Sequence, residues 1–530
     1  MLVGVAVSAS TTAFPVRGAT PAWDTSLYAY VGWMVTRGHM PYTDAWDNKG
    51  PLTYLLYAVG TWMNPDHGML AVSVVNLVVV GVLGYRLALL LTRPTVAGAV
   101  VGVALGMLVF VPELTEPLSL GFLGYLTLLA TRVLVRGVRP TALQAVLAGG
   151  CVAASTLIRA NNVLVLVPLG VVVVVQLARR APAVAARVLG WLTVGVVAVT
   201  APVAGWLWSG GALGAGLDAA YLGSMRWDRP LGTRVAETLR LVVGNGVAPV
   251  VVWVALAVLT VRRAGRAADP GVRRLSAAAV GGLGVFVVAN VAGTGNKYAH
   301  YLMVLFPLTL VATLVVLGSA ADWLAARAAR RSVGTASDDP PDEAPAPEAL
   351  PDADPAPDPE DRLAAPGIRP ALTRRGTAVL VGAAVVLLSL HLPVLVRHMT
   401  TPYTTGLGST PYPTTHQLVT YVQQHTDPDD KVLVLDFSVF GAQLRRESPT
   451  PYYRPDPPWR QSAQDEIWRE IAADVLAAPP ALIVFGDDAQ RERFLAALPT
   501  GTRAAVQALL AGYQKVPPIG RYVIYQAPAR

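Results

Sequence analysis

The sequence predicts a mainly α fold: a polytopic bundle of about eleven membrane-spanning helices, followed by a small α/β domain. Three observations predict it. Charged residues are 14% of the 530 and hydrophobic residues 53%, whereas soluble globular domains carry roughly 25% charged. Apolar runs of roughly 17–25 residues, the length needed to cross a bilayer core, recur from the start of the chain to residue 396. Beyond that point short β-rich runs alternate with helical patterns.

The apolar runs lie near 1–16, 68–91, 95–112, 117–134, 140–158, 163–178, 187–208, 246–262, 276–293, 300–320 and 377–396. The first is short and has no basic residue before it, as though part of a helix were missing. Arg17 follows that run, which favours a span over a signal peptide. Basic residues cluster at Arg93, Arg132–Arg139, Arg179/Arg180/Arg187, Arg262–Arg274 and Arg327–Arg331, at alternate ends of successive spans. The positive-inside bias makes that side cytoplasmic. Segments 17–66, 113–116, 159–162, 209–245, 294–299 and everything after the last span then face outward. The expected localisation is a multi-pass cell-membrane protein.

Within the first outer loop, SLYAYVGWMVTRG (26–38) spaces its apolar residues by three and four and ends on Gly38. That pattern predicts an amphipathic helix lying in the membrane interface. PLTYLLYAVGTWM (51–63) predicts a second short helix with Pro51 at its first turn. The chain divides into a transmembrane domain (1–331), a linker (332–372), a last span (373–396) and an outer α/β domain (397–530). The linker is rich in Pro, Ala and acids, with too few large apolar side chains to fold, and reads as disordered and cytoplasmic. In the last domain KVLVLDF (431–437), ALIVF (481–485) and RYVIYQ (521–526) read as strands. VTYVQQH (419–425) and EIWREIAADVLA (466–477) read as helices, with Trp468 in the core. Tyr452, Tyr453 and Trp459 are further aromatics able to stack on a ligand ring.

The net charge of +8 arises from arginines between spans, without a basic stripe carrying interleaved aromatics, so no nucleic-acid partner is expected. The one cysteine, Cys151, excludes a disulfide framework or a cysteine metal site. Walker, dinucleotide-glycine, HExxH and GxSxG motifs are absent, which disfavours nucleotide use and zinc hydrolysis. What remains is a set of charges on the outer side. Asp24 precedes the interfacial helix, where it equally suits a helix cap. Asp44, Asp47 and Lys49 crowd into PYTDAWDNKGPL. Glu113 and Glu116 sit in VPELTEPLSL, Arg159 with Asn161 and Asn162 in LIRANN, and Lys297, His300 and Tyr301 in GNKYAHY; Arg226, Asp228, Arg229 and Arg234 lie in a long loop. Arg159 runs against the positive-inside bias, and an ionisable group at membrane depth usually has a partner or ligand. Carboxylates can take a proton, while Lys, Arg and His can stabilise a phosphate.

An outer Asp, then an interfacial helix, PYTDAWDNKGPLTYLLYA, an outer Glu-Pro, an Arg-Asn loop and His300-Tyr301…Pro307 make a recognisable order. It resembles the integral-membrane GT-C glycosyltransferases, in the branch of protein O-mannosyltransferases, aminoarabinose transferases and RgtA/B/C/D-like enzymes. The resemblance covers roughly residues 1–325 and is strongest over 20–60. It implies a GT-C-like fold and transfer of a sugar from a polyprenyl-phosphate donor to an extracytoplasmic glycan, lipid or protein acceptor. By position Asp24 resembles the family's first-loop base, and Lys49 the lysine of the KPPL-type motif that contacts the lipid phosphate. Gly50 replaces that motif's first proline. Thr25 stands where the family often has Glu, which leaves a second acidic role to Glu116 or Asp47. Arg159, Lys297 and His300 are carried over to the phosphate. The chemistry is self-consistent: cations offset charge developing on the leaving phosphate, and a carboxylate takes the acceptor hydroxyl's proton. Attack opposite the phosphate inverts the anomeric centre without a covalent enzyme intermediate. No metal site is expected and no cofactor required, although a divalent cation would be chemically compatible. A lipid or polysaccharide transporter is the runner-up, disfavoured by the lack of two-half symmetry; a non-catalytic envelope-assembly protein is the third reading.

Overall fold

A computed structural model describes residues 23–64, 68–92, 94–107, 115–222, 230–244, 253–258, 260, 269–293, 299–334, 412–435, 444–452 and 461–528. The expected spans at 1–16 and 377–396 lie outside these residues, as does nearly all of the linker.

Two short helices come first, α1 (Trp23–Thr36) and α2 (Pro51–Met63), the latter with Pro51 at its start as expected. The bundle continues with α3 (Gly68–Leu91), α4 (Pro94–Met107), α5 (Thr115–Arg136), α6 (Ala142–Ile158), α7 (Val167–Arg180) and α8 (Pro182–Ser209). After the short α9 (Leu213–Leu217) come α10 (Leu231–Gly244), α11 (Pro270–Ala292), a 3-10 turn over Ala299–Leu305, and α12 (Phe306–Gly334). Thr141 closes a capping box with Gln144 at the start of α6. Among the described residues five helices are long and apolar enough to cross a membrane: Ala71–Leu91, Leu118–Arg136, Pro182–Ser209, Pro270–Ala292 and Tyr301–Ala320. Their packing builds one large core around Leu87, Leu123, Leu275, Leu308 and Val311.

α1 differs from expectation. Its residues from Leu27 to Gly32 are buried on every face, so it is not an amphipathic helix with one face free. The reason is packing on several sides: Tyr28 meets Tyr57 of α2 edge-on at 5.6 Å, while the Tyr30 hydroxyl accepts from the Ser448 N–H at 2.8 Å. Gly38 ends the α1 turn in the left-handed region at φ 90°, as its position predicts.

Residues 412–528 form a separate α/β unit with its own core. Helix α13 (Tyr412–His425) leads to β1 (Val432–Leu435), then α14 (Gln461–Ala477) and β2 (Leu482–Phe485). Helices α15 (Asp488–Ala497) and α16 (Thr500–Ala511) precede β3 (Gln514–Ile519) and β4 (Tyr522–Gln526). The sheet order is β1-β2-β4-β3, parallel between β1 and β2 and antiparallel elsewhere. Alternate strand residues serve opposite faces. Leu433, Ile483, Phe485 and Val523 pack with α14, α15 and α16, whereas Val432, Val434, Leu482 and Ile524 pack with α13. Trp468 is core as expected, 5.3 Å from the Phe494 ring. β3, α15 and α16 are additions to the sequence reading.

Candidate functional site

The stretch 37–50, between α1 and α2, is an ordered turn. Tyr42 takes a left-handed φ of 73°, uncommon for a bulky side chain, and its N–H donates to the Ala45 carbonyl at 2.9 Å. Asp44 closes the turn by accepting the Met40 N–H at 2.8 Å. Tyrosines then fix the charged residues. Tyr42 donates its hydroxyl to the Lys49 carbonyl at 2.7 Å, and the Lys49 N–H donates to the Tyr54 hydroxyl at 2.9 Å. Tyr54 in turn donates to Asp47 Oδ2 at 3.1 Å. Burial, then the charges of Tyr221 and Asp47, push the Tyr42 hydroxyl well above its ordinary value, so it stays a neutral donor. The Lys49 ammonium lies 5.6 Å from the Tyr28 ring centre. Asp47 is only 1% exposed. Its Oδ2 is linked through the Tyr54 hydroxyl to the Lys49 backbone N–H.

Gly50 joins this turn to the end of α6. Its N–H donates to the Ile158 carbonyl at 3.0 Å, and Thr53 Oγ1 donates to the same oxygen at 3.1 Å. A Cβ at position 50 would fall on the Leu157 carbonyl oxygen and 2.5 Å from its carbon. The departure from the proline-containing motif therefore has a structural basis: proline lacks the N–H that makes this bond, and its ring would meet the α6 backbone. Through this seam Lys49 and Arg159, far apart in sequence, become neighbours of one joined pair of backbones.

Helix α6 stops at Ile158, and Arg159 begins the turn that separates it from α7. The Arg159 guanidinium stacks 3.7 Å from the Tyr301 ring centre, bringing the 3-10 turn that holds Tyr301 to the same place. Arg159, Asn162, Asn290 and Tyr301 line a small cavity. Both polar atoms of the Asn162 amide are buried, with no hydrogen-bond partner among the described residues. Asn290 donates to the Phe286 carbonyl at 2.9 Å. Arg234, expected in a loop, instead lies on α10 and donates to the Val291 and Ala292 carbonyls at 3.1 and 2.9 Å. It caps the C-terminus of α11.

The other expected residues are placed through their backbones. Asp24 lies in the first turn of the described part of α1 and Glu116 in the first turn of α5; His300 lies in the 3-10 turn beside Tyr301. Their side chains, and Lys297, Glu113, Arg226, Asp228 and Arg229 entirely, lie outside the described residues, as do Tyr453 and Trp459. One buried cluster unites Leu27, Tyr28, Tyr54, Tyr57, Leu118 and Ile158. The segments carrying Asp24, Asp47, Lys49, Glu116 and Arg159 thus meet at one end of the bundle. The tyrosine frame is what sequence reasoning missed, although Tyr54 and Tyr57 sit three apart on one face of α2. Among the described residues no three His, Cys, Asp or Glu side chains gather as a metal site would require.

The bundle, with five described helices long and apolar enough to cross a membrane, has a fold already seen in solved structures. In particular, the chain is similar to ArnT from Cupriavidus metallidurans. The apo structure aligns over 100% of this chain and 97% of ArnT, with a TM-score of 0.57 and 13% identity. The structure bound to undecaprenyl phosphate aligns over 100% and 98%, with a TM-score of 0.56 and 14% identity. At that identity the likeness establishes the fold. Over 62 residues the chain is 42% identical to the dolichol phosphate-mannose mannosyltransferase of Haloferax volcanii; this match spans 11% of the chain and 14% of that relative's length. No protein-family model matches the chain.

Proposed function

We propose that the protein transfers a sugar from a polyprenyl-phosphate donor to a glycan, lipid or protein acceptor on the extracytoplasmic side of a cell membrane. The observation that carries this reading is the Gly50–Ile158 backbone hydrogen bond, which joins the segment that follows Lys49 to the residue that precedes Arg159. It is supported by the fold shared with ArnT, a protein whose structure has been solved with undecaprenyl phosphate bound.

In this reading Lys49 and Arg159, with Lys297 and His300, receive the phosphate and offset the charge it gains as the glycosidic bond breaks. Fixed cations in a site shielded from water act far more strongly than the same charges in bulk solvent. Asp24 takes the proton of the acceptor hydroxyl, and Glu116 supplies the second acidic group. Asp47 holds Lys49 in place through Tyr54. Direct displacement inverts the anomeric centre. No cofactor is required in this reading, although a divalent cation is chemically compatible, so transfer should persist after chelation. Membrane lipids surround the bundle, and the site and the C-terminal α/β unit share the outer side.

The test is transfer from a polyprenyl-phosphate sugar by purified, folded protein. Asp24→Asn and Lys49→Ala should each abolish it, with thermal unfolding unchanged. Wild-type transfer rates in either variant would sink the site assignment.

A further inference from the structure

Among the described residues the C-terminal α/β unit meets α1 and the site loop mainly through the segment 444–452, with Asp429 beside it. Three attachments of different chemistry join them. Glu447 Oε1 accepts from Arg37 Nε at 2.9 Å and lies 3.1 Å from His39 Nε2. The Ser448 N–H donates to the Tyr30 hydroxyl at 2.8 Å. The Trp46 N–H donates to the Pro451 carbonyl at 2.9 Å, with the Trp46 and Tyr452 rings 6.2 Å apart. All three fall on α1 or on the turn that leads into Asp47 and Lys49.

The segment is itself firmly held by the sheet unit. The Val432 N–H at the start of β1 donates to the Glu447 carbonyl at 2.9 Å. Arg446 is tied to Thr426 twice, through Nε to Oγ1 and Nη2 to the carbonyl, each at 2.8 Å. The Glu447 side chain is 23% exposed, so its pairing is shielded more than a surface ion pair. Burial alone would push this carboxyl up, but hydrogen bonds and charge from Arg37 and His39 outweigh it and hold it below the ordinary glutamate value. Two further carboxylates flank the pair: Asp44 lies 3.5 Å from His39 Nδ1, and Asp429 lies 3.8 Å from Arg37.

The turn is therefore gripped at both ends, by Gly50 against α6 and by Glu447 from the sheet unit. Between the grips, Tyr42 and Tyr54 transmit position to the backbone of Lys49. We infer that Glu447 is a positioning residue for the sugar-transfer reaction, holding the 37–50 turn so that Lys49 meets the donor phosphate. This inference rests on the function proposed above. It gives the α/β unit a task in the reaction beyond covering the membrane domain.

The test uses the full-length protein and two readouts. Glu447→Ala should lower kcat/KM for the polyprenyl-phosphate sugar by roughly 10–100-fold, the scale of a reacting group displaced by about 1 Å. Glu447→Gln, which keeps an acceptor but no charge, should fall between Ala and wild type. The swap Arg37→Glu with Glu447→Arg should recover most of the loss, because it restores the pair with its sign reversed. Amide exchange across 39–50 should rise in Glu447→Ala and return toward wild type in the swap. Unchanged transfer in Glu447→Ala, even with faster exchange, overturns the positioning role. A loss that tracks the unfolding temperature and is not recovered by the swap also overturns it, since it marks a purely structural contact. If wild-type protein transfers no sugar at all, the transferase reading fails, and the exchange measurement still decides whether Glu447 holds the turn.

Discussion

Replacing Gly50 by alanine or proline tests the seam on which the site is built. Its backbone, φ −67° and ψ 151°, is one that both residues adopt readily, so neither substitution strains the dihedral angles. The penalty comes from contact. The added Cβ meets backbone atoms of Leu157 and Ile158, which cannot rotate away as a side-chain tip could. Forcing an extra carbon into such packing costs about 1–3 kcal/mol. Proline additionally removes the N–H donated to Ile158, a loss of about 0.5–1.5 kcal/mol. That second figure belongs at the low end, because the Ile158 oxygen keeps the Thr53 hydroxyl. Relief requires α2 and α6 to part, shifting the backbone that carries Lys49. We expect Gly50→Ala to reduce transfer on the order of 10–100-fold with a modest fall in unfolding temperature, and Gly50→Pro to be worse on both. Steady-state transfer kinetics and a thermal unfolding assay in detergent measure the two effects. Wild-type kcat/KM and unfolding temperature in Gly50→Ala would refute the claim that close approach at this position sets the site.

Three other outcomes are expected. Arg159→Lys keeps the charge but loses the planar stack on Tyr301, worth about 0.5–2 kcal/mol, so the donor KM should rise by roughly 2–30-fold, and further in Arg159→Ala. On a Cys151→Ser background, a membrane-impermeant maleimide applied to intact cells should label Asp429→Cys and spare Arg139→Cys; the reverse would invert the proposed orientation. The stabilisation from Glu447 belongs to its ionised form, whose pKa is lowered in the folded state. It should be present above the ordinary glutamate value near 4.3 and disappear as the pH falls through the lowered one, so the stability gap between wild type and Glu447→Gln should close in acid.

The parts of the fold legible in the sequence are those set by local pattern. The α2 helix begins at Pro51 because proline suits a first helical turn, and the long spans follow from unbroken apolar length. β1, β2 and β4 read clearly because they are buried on both faces. The strand over Gln514–Ile519 does not, since it carries Pro517 and Pro518 and is exposed; as the edge of the sheet it tolerates both. The same limit applies to the site. Lys49 and Arg159 stand out as charges in apolar surroundings, but the joining of Gly50 to Ile158 depends on a contact between α2 and α6 that no local pattern encodes. Arg37 and Glu447 are 410 residues apart, and each alone looks like an ordinary surface charge. α1 misleads because its spacing is that of a surface helix, while its far side is covered by the 444–452 segment.

The most direct test of the account is where a polyprenyl phosphate binds. A polyprenyl phosphate carrying a photoreactive group beside the phosphate, irradiated with wild-type protein and mapped by mass spectrometry, should label peptides spanning 42–54 and 157–166. Unmodified polyprenyl phosphate should compete that labelling away, and Lys49→Ala should weaken it. Competed labelling confined to other parts of the bundle, with neither peptide marked, would contradict the assignment of this seam as the donor-phosphate site.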